Sequence, residues 1–281
     1  MTLVWIPGQT TVVGSDEHYP EEAPAREVTV NGFWMQPHQV TNADFTAAER
    51  PLNPADYPGA PAENLQPGSM VFRRTAGPVD LRHLSQWWTW TPGACWNHPR
   101  GPKSSLRNRE QHPVVHVAFE DAAAYTDWAG LALPTEAQWE VAARGGLDRA
   151  TYTWGDEPEQ PGQQLANFWH GEFPYLPDTG YGQTTPVGSF PPNAYGLFDM
   201  AGNVWEWTTD FYGDTRDTRP CCAADSYDPD QPGTPVARRV IKGGSFLCAD
   251  SYCLRYRPAA RRPQAVDTGM SHVGFRCVRN G

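Results

Sequence analysis

Apolar and polar residues alternate along this chain mostly over short distances, and helical periodicity surfaces in few places. The clearest case is "LPTEAQWEVAARGG", residues 133–146. There Thr135 fits an N-cap, Gln138 completes a capping box three residues on, and Gly145 with Gly146 gives a stop. Just upstream, "FEDAAAYTDWAG" sets Ala122, Tyr125, Trp128 and Ala129 at helical spacing before Gly130, and the two helices are expected to pack side by side. A third helix is expected to start after Thr41 or Asn42 in "TNADFTAAER". Elsewhere the pattern is β-like: "REVTVNGFWM" and "HPVVHVAF" read as strands, and "RRVIKGGSF" reads as a strand entering a glycine turn. In "HVGFRCVR" the period of two puts Val273, Phe275 and Cys277 on one face and Gly274 and Arg276 on the other, so Cys277 reads as a buried core thiol. Residues 51–80 read as one long proline-punctuated connection.

Composition sharpens this picture. With 26 Gly, 28 Pro and 12 Trp in 281 residues, the chain is expected to be compact but rich in loops and turns. No internal repeat or composition break divides it, so a single domain over residues 1–281 is the economical reading. A net charge of −10 argues against a nucleic-acid partner. The opening "MTLVWIPGQTTVVG" has no basic n-region or long apolar run, and no stretch approaches the ~20 apolar residues of a membrane span. The expectation is a cytoplasmic protein with no membrane association, whose six cysteines stay free thiols.

Nucleotide-binding glycine motifs and H-E-x-x-H are absent, and His112 and His116 lie on a strand-like segment where structural roles are expected. Cys248 and Cys253 stand apart. Their separation matches neither a zinc knuckle nor a thioredoxin-like pair, and no second close ligand pair offers a tetrahedral zinc site except the adjacent Cys221 and Cys222. Two lone thiolates suit a soft, low-coordinate cation such as Cu(I), or a dithiol that cycles with a disulfide. Nearby Arg255 and Arg257 are expected to depress the thiol pKa values. On spacing alone, a pair of buried small hydrophobes fits equally well. In "GLFDMAGNVWEWTTD", Asp199 and Glu206 flank a Gly-Asn turn, and with the intervening carbonyls they form an oxygen-only set suited to calcium.

Taken together, "VWIPGQTTVVGSD", "HPVVHVAFEDAAAYTDWAG", "NAYGLFDMAGNVWEWTTD" and above all "GGSFLCADSYCLRYR" resemble the formylglycine-generating enzymes, the sulfatase-modifying family, along the whole chain. The resemblance implies an α+β single domain of C-type-lectin-like topology with little regular secondary structure. It also implies O2-dependent oxidation of a cysteine in a Cys-x-Pro-x-Arg segment of an unfolded sulfatase to Cα-formylglycine. By position, Cys248 and Cys253 would hold Cu(I), while Ser245, Tyr252 and Trp205 would line the substrate and O2 pocket. One implied calcium site uses Asp199, Glu206 and the carbonyls of Gly202 and Val204; a second uses Asn167 and the Phe168 carbonyl, with Asp178 and the Tyr181 carbonyl in a shortened loop. Secreted relatives tie the cysteine of "GFRC" to a helix cysteine, and Ala143 stands at that helix position here. The rival readings are a non-catalytic peptide- or ligand-binding module on the same fold, which needs neither Cys248 nor Cys253, and an iron sulfoxide synthase, whose additional N-terminal histidine-bearing domain is not expected in a sequence that opens directly at "VWIPG".

Overall fold

The computed structural model describes residues 2–45, 66–213, 226, 228 and 235–281. Cys221, Cys222, residues 46–50 of the expected third helix and residues 51–65 of the long connection lie outside the described residues. The regular elements are short and held in place by one another. β1 (Val4–Ile6), β4 (Phe33–Met35) and β13 (Val278–Asn280) form an antiparallel sheet with β4 in the centre, so the two ends of the chain share one sheet. A second sheet runs in the order β11 (Arg261–Ala265), β10 (Arg238–Lys242), β9 (Trp205–Phe211) and β12 (Val273–Gly274), with β12 parallel to β9 and the other pairs antiparallel. Two-stranded ribbons join β2 (Gln9–Val13) to β3 (Arg26–Val30), β5 (Gly68–Phe72) to β6 (Trp88–Pro92), and β7 (Gly171–Glu172) to β8 (Leu176–Pro177).

Two α-helices are present among the described residues, both where the periodicity puts them. In α2 (Glu136–Arg144) the capping box forms on both sides, with Gln138 N donating to Thr135 Oγ1 at 3.1 Å and Thr135 N to Gln138 Oε1 at 2.9 Å. Gly145 then takes a left-handed conformation, φ 60°, and ends the helix. α1 (Phe119–Ala129) buries Ala122 and Tyr125, but Trp128 is 77% exposed. The helices do not pack side by side as expected. α1 buries its apolar side in a core with Trp205, Trp207 and Phe275, whereas α2 buries Trp139, Val141 and Ala143 against the terminal sheet. A short helix seeks the largest apolar surface it can cover, and for each of these that surface is strand rather than helix.

Three other sequence expectations are corrected. "REVTVNGFWM" is two strands, β3 and β4, broken at Asn31 and Gly32. Part of the 51–80 connection is strand β5, paired in register with β6. Residues 112–118 form no strand: His116 sits at φ 62°, and backbone groups bond in turn to Val40, Met270 and the Trp207 indole. The apolar alternation there serves burial among several partners rather than one ladder.

His116 has the structural role expected of it. Its Nδ1 lies 2.7 Å from Ser69 Oγ and its Nε2 2.9 Å from the Pro99 carbonyl, tying the 99–105 loop to β5. Burial depresses its pKa to about 4. The unfolded chain therefore binds a proton at a higher pH than the native state does, so this stabilisation is full above about pH 6.5 and is lost as pH falls toward about 4. Between pH 7.5 and pH 5 the loss is on the order of 2 kcal/mol. Urea unfolding at the two pH values is expected to give an acid-linked loss smaller by that amount in His116→Gln.

Candidate active site

β10 ends at Lys242 and the chain turns through Gly243 and Gly244, at φ 95° and 71°. A Cβ on Gly244 would lie 2.8 Å from both the Arg255 carbonyl oxygen and Tyr256 Cα, so only glycine lets this turn lie against the returning chain. Cys248 N then donates to the Ser245 carbonyl at 2.9 Å, and the N–H groups of Tyr252 and Cys253 converge on the Ala249 carbonyl at 2.9 and 2.6 Å. That single helical turn carries Cys253 back onto Cys248. The two Sγ atoms lie 3.3 Å apart as reduced, buried thiols.

The two sulfurs are not equivalent. Burial, and then the hydrogen bond to Cys253, pushes Cys248 well up; the same bond pulls Cys253 down against its own desolvation, with Arg262 and Arg255 adding to the pull. Of the two, Cys253 is the one whose surroundings favour the thiolate. Arg255 Nη1 is 3.9 Å from Cys253 Sγ. The expected help from Arg257 is corrected: its guanidinium binds both Glu22 oxygens and the Leu254 carbonyl instead, and Arg262 is the second cation that Cys253 feels. Tyr19, Glu21 and Glu22, from a turn near the start of the chain, were not read from the sequence as part of this site. Glu21 holds Arg255 at 2.8 Å, the Tyr19 ring lies 3.7 Å beneath that guanidinium, and Tyr19 OH accepts from Leu254 N. The "YPEE" stretch carries no local signal of partners more than 200 residues away.

Trp205, Cys248 and Cys253 pack in one core cluster, and Tyr252 lies at its edge with its ring stacked 4.8 Å from Phe173. Ser245 is fully buried, with Oγ 3.2 Å from His272 Nδ1. The His272 carbonyl also accepts from Trp205 N at 2.8 Å. One residue that was not singled out from sequence thus touches two of the expected pocket residues. Its ring is buried beside Trp88, 4.7 Å between centroids, and burial drives its pKa down to about 3, so it is neutral.

The dithiol fits a soft, low-coordinate cation by the chemistry of its donors. No group of three or more His, Cys, Asp or Glu side chains among the described residues is placed to hold a metal. For calcium the fit is uneven. Asp199 Oδ1 and Asn167 Oδ1 are buried without a hydrogen-bond partner, as oxygens awaiting a hard cation would be. Burial pushes the Asp199 carboxyl up to about 6. Glu206 differs: its carboxylate already accepts from Trp139 Nε1 (2.7 Å), Gln39 Nε2 (3.0 Å) and Arg276 Nε and Nη2 (2.7 and 2.8 Å). Its charge is matched by Arg276, so Asp199 is the acidic side chain with capacity to spare. Gly202 lies directly over Asn167, where a Cβ would meet the Asn167 carbonyl oxygen at 2.2 Å, and Asn203 N donates to that oxygen. The two oxygen clusters therefore share a backbone junction. Asp178 and Tyr181 form a turn joined to His170, whose ring stacks on Phe168 on one side and Tyr181 on the other.

Two buried cysteine sulfurs brought together by one helical turn, in a single domain of short strands and few helices, are the centre of this candidate site. The chain matches the sulfatase-modifying factor enzyme 1-like domain of the FGE-sulfatase family over residues 1–281, and it belongs to that family. It is 53% identical to the formylglycine-generating enzyme of Mycobacterium tuberculosis, covering 98% of this chain and 97% of that one. It is 44% identical to that of Thermomonospora curvata, covering 98% and 92%. Among solved structures, PvdO from Pseudomonas aeruginosa superposes with a TM-score of 0.64 at 22% identity, covering 99% of this chain and 94% of that one; this supports the α+β single-domain fold alone. No helix among the described residues is long and apolar enough to cross a membrane.

Proposed function

We propose that this protein is an O2-dependent oxidase that converts a cysteine in a Cys-x-Pro-x-Arg segment of an unfolded sulfatase to Cα-formylglycine, with Cu(I) held by Cys248 and Cys253. The carrying observation is the reduced Cys248–Cys253 pair, Sγ to Sγ 3.3 Å, in a chain so similar to named formylglycine-generating enzymes. A pure binding module needs no buried thiolate. Bound Cu(I) would supply a soft centre able to take a third sulfur, from the substrate cysteine, and to pass electrons to O2. The protein's own residues prepare that site. Both sulfurs must be deprotonated to serve as ligands; Arg255 and Arg262 favour this at Cys253, and Arg255 favours it at Cys248. Ser245 and Trp205 would exclude water and shape the O2 side, and Tyr252 would orient the peptide. Oxidising a cysteine methylene to an aldehyde releases two electrons and hydrogen sulfide, while full reduction of O2 takes four. A second thiol reductant is the source of the other pair.

The test is to incubate Cu(I)-loaded protein with such a peptide under air, with a thiol reductant, and to look for the aldehyde by mass spectrometry. Aldehyde is expected at the cysteine; none from folded, loaded protein removes this reading.

Calcium belongs to the same proposal, at Asp199 with the carbonyls of Gly202 and Val204, and at Asn167 with the Phe168 carbonyl, Asp178 and the Tyr181 carbonyl. The orphaned Asp199 Oδ1 and Asn167 Oδ1 support it. A site filled at a hundredfold excess over its Kd stabilises by about 2.7 kcal/mol. Calcium added to chelator-treated protein is therefore expected to raise Tm by several degrees, and Asp199→Ala is expected to remove the share of that rise that comes from the first site.

A further inference from the structure

A cavity of about 300 Å³ lies outside the dithiol site, and Phe72 and Phe246 line it together with Arg100, Arg109, Gln183 and Thr184. None of its described lining residues is Asp or Glu. Between residues 99 and 109 the chain carries Arg100, Lys103, Arg107 and Arg109 and no acid, in a protein of net charge −10. Arg109 is half-buried, and its guanidinium bonds to neutral oxygens, Gln183 Oε1 at 3.0 Å and Thr184 Oγ1 at 3.5 Å. Burial and the like charge of Arg100 both push its pKa down, and no carboxylate opposes them. The half-buried Arg109 and the exposed Arg100 thus line one small space with no acidic side chain among its described lining residues, so an anion entering it meets positive charge.

The pocket is built rather than incidental. His116 ties the Pro99 carbonyl to Ser69 in β5; Ser69 Oγ donates to the Gly269 carbonyl at 2.6 Å; Ser271 N donates to the Met70 carbonyl and Ser271 Oγ accepts from Phe72 N, each at 3.0 Å. Its wall is joined to the dithiol segment through chain neighbours and ring contacts. Phe246, in its wall, precedes Cys248 by two residues. Ser271, also in its wall, precedes the His272 that meets Ser245. From Phe72 the rings run on to Phe173, at 6.3 Å, and from Phe173 to Tyr252, next to Cys253.

We propose that this pocket is a specificity subsite that takes an acidic side chain of the substrate polypeptide, Asp or Glu, placed near the cysteine to be oxidised. It rests on the function proposed above and names something that function leaves open, namely which flanking sequence is preferred. The carboxylate would bridge Arg100 and Arg109 while its methylenes lie on Phe72 and Phe246.

The test is a scan of fluorescently labelled Cys-x-Pro-x-Arg peptides with Ala, Glu or Lys at each flanking position, read both by anisotropy under anaerobic conditions and by aldehyde formation. One position is expected where Glu lowers Kd and KM about tenfold relative to Ala with kcat little changed, and where Lys raises them. This preference should shrink in high NaCl. Arg100→Glu, at an exposed position, is expected to invert it to favour Lys, and Arg109→Gln to flatten it. Kd and KM indifferent to charge at every position, or a preference unmoved by both variants, overturns the subsite. Peptides that bind with the charge preference but give no aldehyde remove the oxidase reading and keep the pocket. No binding by any peptide removes both.

Discussion

Alanine at either Cys248 or Cys253 is expected to cut aldehyde formation by on the order of 10³-fold or more, with the double variant scarcely worse than either single one. The reason is geometric. The two sulfurs are 3.3 Å apart in hydrogen-bond contact and are held by the same Ala249-centred turn, so they act as one unit and their losses do not add. Each substitution removes one small buried atom, and the surrounding core of Trp205, Phe168 and Tyr256 loses about 1 to 2 kcal/mol of packing, too little to unfold the domain. Near-native Tm with lost turnover and lost Cu(I) binding is the expected combination. Turnover retained in both alanine variants would show that the chemistry runs elsewhere. Arg255→Met gives a graded companion result: without the cation 3.9 Å from Cys253 Sγ, that thiolate is less favoured and the pH–rate profile should move to higher pH.

The largest loss of stability is expected from Arg276→Met. Arg276 is fully buried, and its guanidinium meets both Glu206 oxygens and the carbonyls of Phe198 and Asp199. Removing it strands a carboxylate that is 1% exposed, a change that costs about 3–5 kcal/mol. Against a total stability of roughly 5–15 kcal/mol, this should lower Tm by about 10 °C and reduce soluble yield. Pairing the change with Glu206→Gln is expected to restore much of the loss, because the uncompensated charge rather than the lost contact dominates. A double-mutant cycle by thermal and urea unfolding measures the coupling, and additive losses would contradict this account. Because Arg276 also reaches the Asp199 carbonyl, the single variant should blunt the calcium response as well.

Much of the site could be read without coordinates where the signal is local. The α2 capping box, the Gly145 stop and the strand that runs into Gly243–Gly244 each depend on hydrogen bonds or dihedral freedom within a few residues. The Cys248–Cys253 spacing belongs to this group, since one helical turn suffices to close it. "HPVVHVAF" misled for the opposite reason: its alternation is that of a strand, but three distant segments take its backbone hydrogen bonds, and His116 adopts a positive φ among them. Trp128 fits a helical apolar stripe and nevertheless faces outward, because α1 finds its surface on the side of Ala122 and Tyr125.

What the sequence by itself determined is the donor chemistry: two thiols one turn apart, an acidic Gly-Asn turn, and a family resemblance that runs the length of the chain. Tertiary structure alone decided how those donors are charged. Arg257 stands two residues from Arg255, yet Glu22 takes it, while the charge of Arg262 helps to lower the Cys253 pKa. Asp199 and Glu206 look alike in the sequence, yet Arg276 neutralises one and leaves the other with an unpartnered oxygen. Charge pairing inside a protein falls off with distance in space and rises with burial, and neither quantity is written in residue order.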